Sequence, residues 1–180
     1  MMPPVIASRF TARQDDPFVV FLIGMRVNKF FAFRKWLSVA KAFPEMVAIL
    51  KVHPEKGFLH GEIFFRLPPL TIMMLSYWKS FEDLERFARS VDDPHLAAWR
   101  RFNQQIGSDG SVGIFHETYA VAPGSYETFY NNMPLFGLSG ATQHALPVLS
   151  HQAQSARGRM HAQAAGEIEQ PANASLEGLE

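Results

Sequence analysis

Between residues 18 and 28 the chain reads Phe-Val-Val-Phe-Leu-Ile-Gly-Met-Arg-Val-Asn, a nearly unbroken run of β-branched, aromatic and aliphatic side chains. Such a run predicts a buried central strand. Over residues 33–51 the period changes: Phe33, Trp36, Leu37, Ala40, Val47 and Leu50 recur at three- and four-residue steps, the spacing of one helix face. Pro44 lacks a backbone donor and predicts a kink or a restart there, and His53-Pro54 with Gly57 ends the helix. Residues 61–67 and 70–78 read as two strands around Pro68-Pro69, close enough in sequence to pair as a hairpin. Ser80 is placed to cap a following helix whose first turn carries Glu82 and Asp83 and whose apolar face is Phe81, Leu84, Phe87 and Val91. Asp93-Pro94 predicts a further helix start, with Leu96, Trp99 and Phe102 inward, and residues 112–121 form the last strand. The aromatic segment 126–130 then packs back onto the domain.

The resulting order, β-α-β-β-α-(α)-β, predicts an α+β fold of ferredoxin-like β-α-β-β-α-β type, with a four-stranded antiparallel sheet and its helices on one face. Alternation sends Phe21, Ile23, Met25 and Val27 to one side of the first strand and Val20, Leu22 and Gly24 to the other, so both sides are apolar. A sheet with helices on one side and apolar residues on both needs a second cover, most simply another copy of itself. The expectation is a homodimer with the sheets face to face. Residues 1–17 read as an N-terminal extension and 18–137 as the domain. From 138 to 180 aromatic residues vanish while Ala, Gln, Gly, Ser and Glu accumulate, which predicts a disordered tail with a transient helix near 152–165.

Composition removes several function classes. The chain of 180 residues has the length of one ordinary domain. Its formal net charge is zero with lysines and arginines scattered, so no footprint for nucleic acid or an anionic membrane is expected. There is no cysteine, which excludes disulfides, thiolate metal sites and cysteine nucleophiles and fits a cytoplasmic protein. No basic-then-apolar leader opens the sequence, and the longest apolar run is too short to span a bilayer as a helix. Neither a G-x-G-x-x-G nor a G-x-x-x-x-G-K signature occurs, and the histidines show no i, i+4 ligand pair, which argues against nucleotide and zinc sites.

The chemistry concentrates in His116-Glu117-Thr118-Tyr119, ionisable groups within an otherwise apolar strand. Alternation puts His116 and Thr118 on one face and Glu117 and Tyr119 on the other. His116 has the side chain best matched to proton transfer near neutral pH and is the candidate general base; the plainer reading is a histidine hydrogen-bonded across strands or at an interface. Arg26 and Asn28, polar at the end of an apolar strand, are candidate donors to a developing anion, or simply mark the strand's exit into solvent. Trp78, Trp99, Phe102, Met73, Met74 and Tyr119 are candidate walls of a hydrophobic substrate pocket, or ordinary core.

Residues 77–88, Tyr-Trp-Lys-Ser-Phe-Glu-Asp-Leu-Glu-Arg-Phe-Ala, followed by Pro94-His95-Leu96, Trp99 and Phe102, resemble the strand-helix-helix signature of the dimeric α+β barrel superfamily, which includes antibiotic-biosynthesis-type monooxygenases. Val27-Asn28-Lys29-Phe30, Trp99-Arg100-Arg101-Phe102-Asn103, residues 113–119 (Gly-Ile-Phe-His-Glu-Thr-Tyr) and Asn131-Asn132-Met133-Pro134 resemble more closely a family of bacterial and fungal proteins of monooxygenase type with relatives in natural-product pathways. The resemblance covers about residues 9–138. It implies a small oxygenase that needs no flavin, nicotinamide or metal and acts on a small hydrophobic, conjugated or polyketide-like molecule. His116 would be the base, Arg26 or Asn28 the donor, and Trp78 and Trp99 the walls. The alternatives are a non-catalytic dimer that binds a hydrophobic ligand, and a haem protein with His116 or His95 as axial ligand.

Overall fold

A computed structural model describes residues 3–89, 108–148 and 155–166. Its elements in chain order are β1 (Ile6–Thr11), β2 (Phe18–Val27), α1 (Phe33–Val52), β3 (Phe58–Arg66), β4 (Thr71–Trp78), α2 (Phe81–Arg89), β5 (Val112–Val121), β6 (Tyr130–Met133), α3 (Leu138–Thr142), β7 (Leu146–Pro147) and α4 (Ala156–Ala164). The chain divides into two compact units, residues 19–120 and residues 1–18 with 121–180.

In the first unit the apolar run becomes β2, an inner strand of a four-stranded sheet ordered β3-β4-β2-β5. β2 pairs antiparallel with β4 in the register Val19↔Trp78, Ile23↔Met74 and Met25↔Ile72, and β3 pairs antiparallel with β4. This is the expected ferredoxin-like α+β arrangement. Strand β3 begins at Phe58 rather than at 61, because a register shift between Phe58 and His60 lets the strand start earlier while keeping Phe58 opposite Trp78.

Alternation decides what each face does. Met25, Val27, Met74 and Val112 bury together with Val47 of α1, and Trp36, Ala40 and Met46 pack against them. Val19, Phe58 and Trp78 bury with Leu50 of α1 and with Leu84 and Phe87 of α2. One sheet face is therefore covered by both helices, the layer arrangement expected when each element hides one apolar side. Helix α1 passes through Pro44 as one element rather than restarting there, since Val47 and Leu50 beyond the proline are buried and hold the second half in place. At the start of α2 the Ser80 hydroxyl accepts from the Asp83 backbone N–H at 3.1 Å and donates to the Asp83 carboxylate at 2.9 Å, the expected cap. Gly57 turns the chain between the 3₁₀ turn Pro54–Lys56 and β3 with φ of +79°, and a Cβ there would meet the Asp83 side chain at 2.5 Å.

The second unit departs from the expected extension and tail. β1 lies between β6 and β7 in a three-stranded antiparallel sheet, with Phe10 opposite both Tyr130 and Pro147. Phe10 stacks on Tyr130 at 4.9 Å, and Phe18 meets Tyr126 edge-on at 5.2 Å, so the aromatic segment packs against the chain's beginning. The boundaries at 17 and 137 do not match this division. Helix α4 is capped by Ser155, whose hydroxyl accepts from Gly158 N–H at 3.0 Å, and its Arg159 is buried and paired with Glu127 at 2.8 Å. That segment has too few apolar residues to be recognised by periodicity; an ion pair, the face of Phe129 4.8 Å from the guanidinium, and the Gln163 amide donating to Ala12 C=O at 3.0 Å anchor it instead.

Candidate functional site

The helix-covered face of the four-stranded sheet carries the first group of candidates. Val112 and Ile114 of β5 belong to the buried cluster on that face, so alternation places His116 there too, and its ring lies 6.1 Å from that of Phe21. His116 itself is exposed. Among the described strand residues of this sheet it is the one titratable side chain on the helix side, where its companions are Phe21, Ser76, Ile23, Met74 and Trp78. Trp78 is fully buried between Phe58 and Phe87, with ring centroids at 5.5 and 5.4 Å, and Met74 is fully buried in the neighbouring cluster. Both stand on His116's face.

The pattern of residues 70–78 assigns Ser76 no role. It is completely buried, its hydroxyl donates to the Phe21 carbonyl at 3.1 Å, and it accepts the Trp78 indole N–H at 3.0 Å. The hydroxyl thus ties the tryptophan to the strand that carries Phe21. The available signal was a lone small polar residue at an inward position of an apolar strand.

The other candidates lie elsewhere. Arg26 falls between the inward-facing Met25 and Val27, is exposed, and sits opposite Thr71 on the face away from the helices. Tyr119 shares that face and is exposed; its hydroxyl donates to the Glu117 carboxylate, and that hydrogen bond together with the negative charge pushes the phenol above its ordinary pKa. Asn28 stands just beyond β2, and its amide donates to Gly110 C=O at 3.1 Å while its backbone N–H donates to Ser111 C=O at 2.9 Å. It fastens the end of β2 to the start of β5. Trp99, Phe102 and His95 lie outside the described residues. One pocket on the helix side therefore does not also take in Arg26 and Tyr119.

The opposite face presents Val20, Leu22, Met73, Leu75 and Phe115, all partly exposed, with Phe64 more open at its border. The Phe115 ring crosses Gly24, where a Cβ would meet it at 2.6 Å and the Ile72 carbonyl at 2.7 Å. His60 is a strand residue: its Nε2 lies 2.8 Å from the Glu62 carboxylate, on the same face as Leu75 and Tyr77. Where β5 begins, the Asp109 carboxylate accepts from the Ser111 hydroxyl at 2.7 Å and the Ser111 N–H at 3.0 Å and pairs with Lys35 at 3.0 Å; those bonds, Ser111's first, hold it well below the usual carboxylate range.

A family model described as Monooxygenase af470-like matches residues 18–138. The chain belongs to the Monooxygenase af470-like family. The matched span runs from the start of β2 past β6, so it includes all four strands of the larger sheet, His116 and the aromatic segment. Monooxygenase af470 of Aspergillus fumigatus is 36% identical over 62 residues, which are 34% of this chain and 21% of that protein. The chain thus aligns with only about a fifth of that relative's length. Among solved structures, aldoxime dehydratase OxdRE in complex with butyraldoxime superposes with a TM-score of 0.61 at 19% identity over 90% of this chain and 44% of that one, a likeness of fold. SnoaB, a cofactor-independent oxygenase from Streptomyces nogalater, gives a TM-score of 0.41 at 14% identity over 58% of this chain and 92% of that one.

For haem, His116 is the described candidate ligand. Metal-bound imidazoles ordinarily have their second nitrogen held by a carbonyl or carboxylate, and among the described residues none holds His116. The described residues thus give His116 no such support, and His95, the other candidate axial ligand, lies outside them. Among the described residues no group of three or more His, Asp or Glu side chains is arranged to hold a metal ion, and no described helix is long and apolar enough to cross a membrane.

Proposed function

We propose that this member of the Monooxygenase af470-like family is a cytoplasmic, homodimeric monooxygenase that oxidises a small hydrophobic, conjugated or polyketide-like molecule without flavin, nicotinamide or metal. The observation that carries the reading is His116: a titratable side chain on the helix-covered, apolar sheet face, beside Phe21 and in line with the Trp78 and Met74 clusters. In the proposed reaction His116 takes a proton from an activated CH₂ of the substrate. The carbanion reduces O₂ and combines with it to a peroxide, which loses water to leave a carbonyl, so that CH₂ + O₂ gives C=O + H₂O with the substrate as reductant. Because His116 is exposed, it is the bound apolar substrate, lying against Phe21, that would keep water from the carbanion. Arg26 and Asn28 remain proposed donors, with Arg26 reaching a site of this kind only from the sheet face that the partner copy would cover. Trp78, Met74 and, outside the described residues, Trp99 and Phe102 are the proposed walls, and Tyr119 belongs with Arg26.

The test is oxygen uptake with a hydroxyanthrone probe by purified protein free of added cofactor. His116→Ala is expected to lower the rate about 100-fold or more at unchanged thermal stability. Equal rates for the variant, or a Soret band in the active protein, would overturn the reading. The exposure of His116 favours a second reading, a dimer that binds such molecules without transforming them; tight probe binding without oxygen uptake would select it.

A further inference from the structure

The segment that joins β2 to α1 holds an arrangement that the proposed oxygenase function does not use. Phe31 is 86% exposed, Phe30 62%, Phe33 53% and Leu37 45%, although all four are large apolar side chains. They are not loosely hung. The Phe30 ring lies 5.8 Å from Trp36 and 6.3 Å edge-on from Phe31, and the Trp36 indole N–H donates to the Phe30 carbonyl at 3.0 Å. The fold therefore sets out an aromatic cluster in fixed geometry and leaves it in water, where each ring costs free energy unless something covers it.

The charges around it indicate what does. No acidic residue occurs between Asp16 and Glu45, and Lys29, Arg34 and Lys35 alternate with the exposed rings. Among the described residues, Asp109 is an acid that the fold brings alongside: its carbonyl accepts from Lys29 Nζ at 3.2 Å and its carboxylate pairs with Lys35 at 3.0 Å. Among the described residues, Lys29, Arg34 and Lys35 thus stand with the one carboxylate of Asp109. The chain-wide net charge of zero conceals this local grouping. A second copy docked here would bring the same cations together. Phenyl rings standing out singly between cations suit a yielding apolar medium behind an anionic surface, as amphipathic elements do when they lie in a membrane interface. Helix α1 is not long and apolar enough to cross a membrane, which agrees with a protein that rests on the surface.

We propose that residues 29–37 form a peripheral docking surface for anionic lipid, with Phe30, Phe31, Phe33 and Leu37 entering the acyl boundary while Lys29 and Arg34 meet the headgroups. The test is co-sedimentation of the full-length protein with vesicles of phosphatidylcholine plus phosphatidylserine and with vesicles of phosphatidylcholine alone. Partitioning is expected on the first, weakened by added salt, and little on the second. Phe31→Ser should lower the partition coefficient about tenfold, and Arg34→Gln about fivefold, with the near-ultraviolet circular dichroism of the full-length protein unchanged. The proposal is overturned if the protein stays in the supernatant with the anionic vesicles at low salt, or if Phe31→Ser sediments with them as well as the parent does. It is equally overturned if Phe31→Ser dissociates a dimer without altering vesicle partition, which would assign the patch to a copy-to-copy contact. Oxygen uptake by either variant is expected to match the parent, so loss of lipid binding and loss of activity are separate results.

Discussion

At the scale of single residues, buried polar atoms matter more than their number suggests. The Ser76 hydroxyl is enclosed beneath the Trp78 indole, giving to one backbone carbonyl and receiving the indole N–H. In Ser76→Ala the apolar volume barely changes, but the Trp78 N–H keeps no partner in a fully buried site. The expected loss is about 1–3 kcal/mol of stability, read from urea denaturation midpoints at constant m-value. Asp109 makes a separate prediction. Its folded carboxyl is held below the unfolded value by Ser111 and then Lys35, so its contribution to stability is present above the unfolded carboxylate range and is lost as pH falls through the folded value. Asp109→Asn should therefore be slightly less stable than the parent at neutral pH, the difference kept small because the pair is exposed and screened, and its flatter acid limb should converge on the parent's as pH falls below about pH 4. A curve for the variant parallel to that of the parent down to the acid limit would contradict this.

At the scale of elements, α4 shows how a helix can be held without an apolar stripe. The buried Arg159 links it to Glu127 and to the ring of Phe129, and Gln163 links it to Ala12. Arg159→Met keeps the length of the side chain and removes the charge, leaving Glu127 partly buried without its partner. The expected cost is about 1–3 kcal/mol locally. Trypsin at Arg157 provides the measurement: cleavage there should be slow in the parent and clearly faster in the variant. Equally rapid cleavage in both would mean that the ion pair does not hold α4, and would favour the sequence-based expectation that this stretch is disordered.

At the scale of the whole molecule, the open face of the four-stranded sheet asks for a partner. Val20, Leu22, Met73, Leu75 and Phe115 form an apolar area on the face opposite to α1 and α2. The proposed homodimer covers it, and an obligate interface of that kind buries on the order of 2,000 Å² or more. Leu22→Lys places a charge in that area without touching the helix-side core and is expected to convert the dimer to monomer in sedimentation velocity. A parent chain that is a stable monomer at micromolar concentration would end the proposal, and would also remove Arg26 and Tyr119 from any site formed between copies.

What could be read from the sequence alone was local periodicity. The run that becomes β2, the three- and four-residue steps of α1, the Ser80 cap and the span Val112–Val121 each depend on neighbours within a few positions, and each stands in the structure where the pattern put it. The same alternation places His116 and Tyr119 on opposite faces, and the structure keeps that division. What the tertiary structure decided rests on contacts far apart in the chain. The pairing of Arg159 with Glu127, of β1 with β6 and β7, and of Asn28 with Gly110 joins polar or short segments whose attachment no local period encodes. Exposure is decided in the same way: Phe30 and Phe33 read as core by hydrophobicity alone, whereas Phe10 reads as part of an extension. Which of them meets water depends on which strand or helix the fold lays over it, a property of the packed chain and not of any stretch of it.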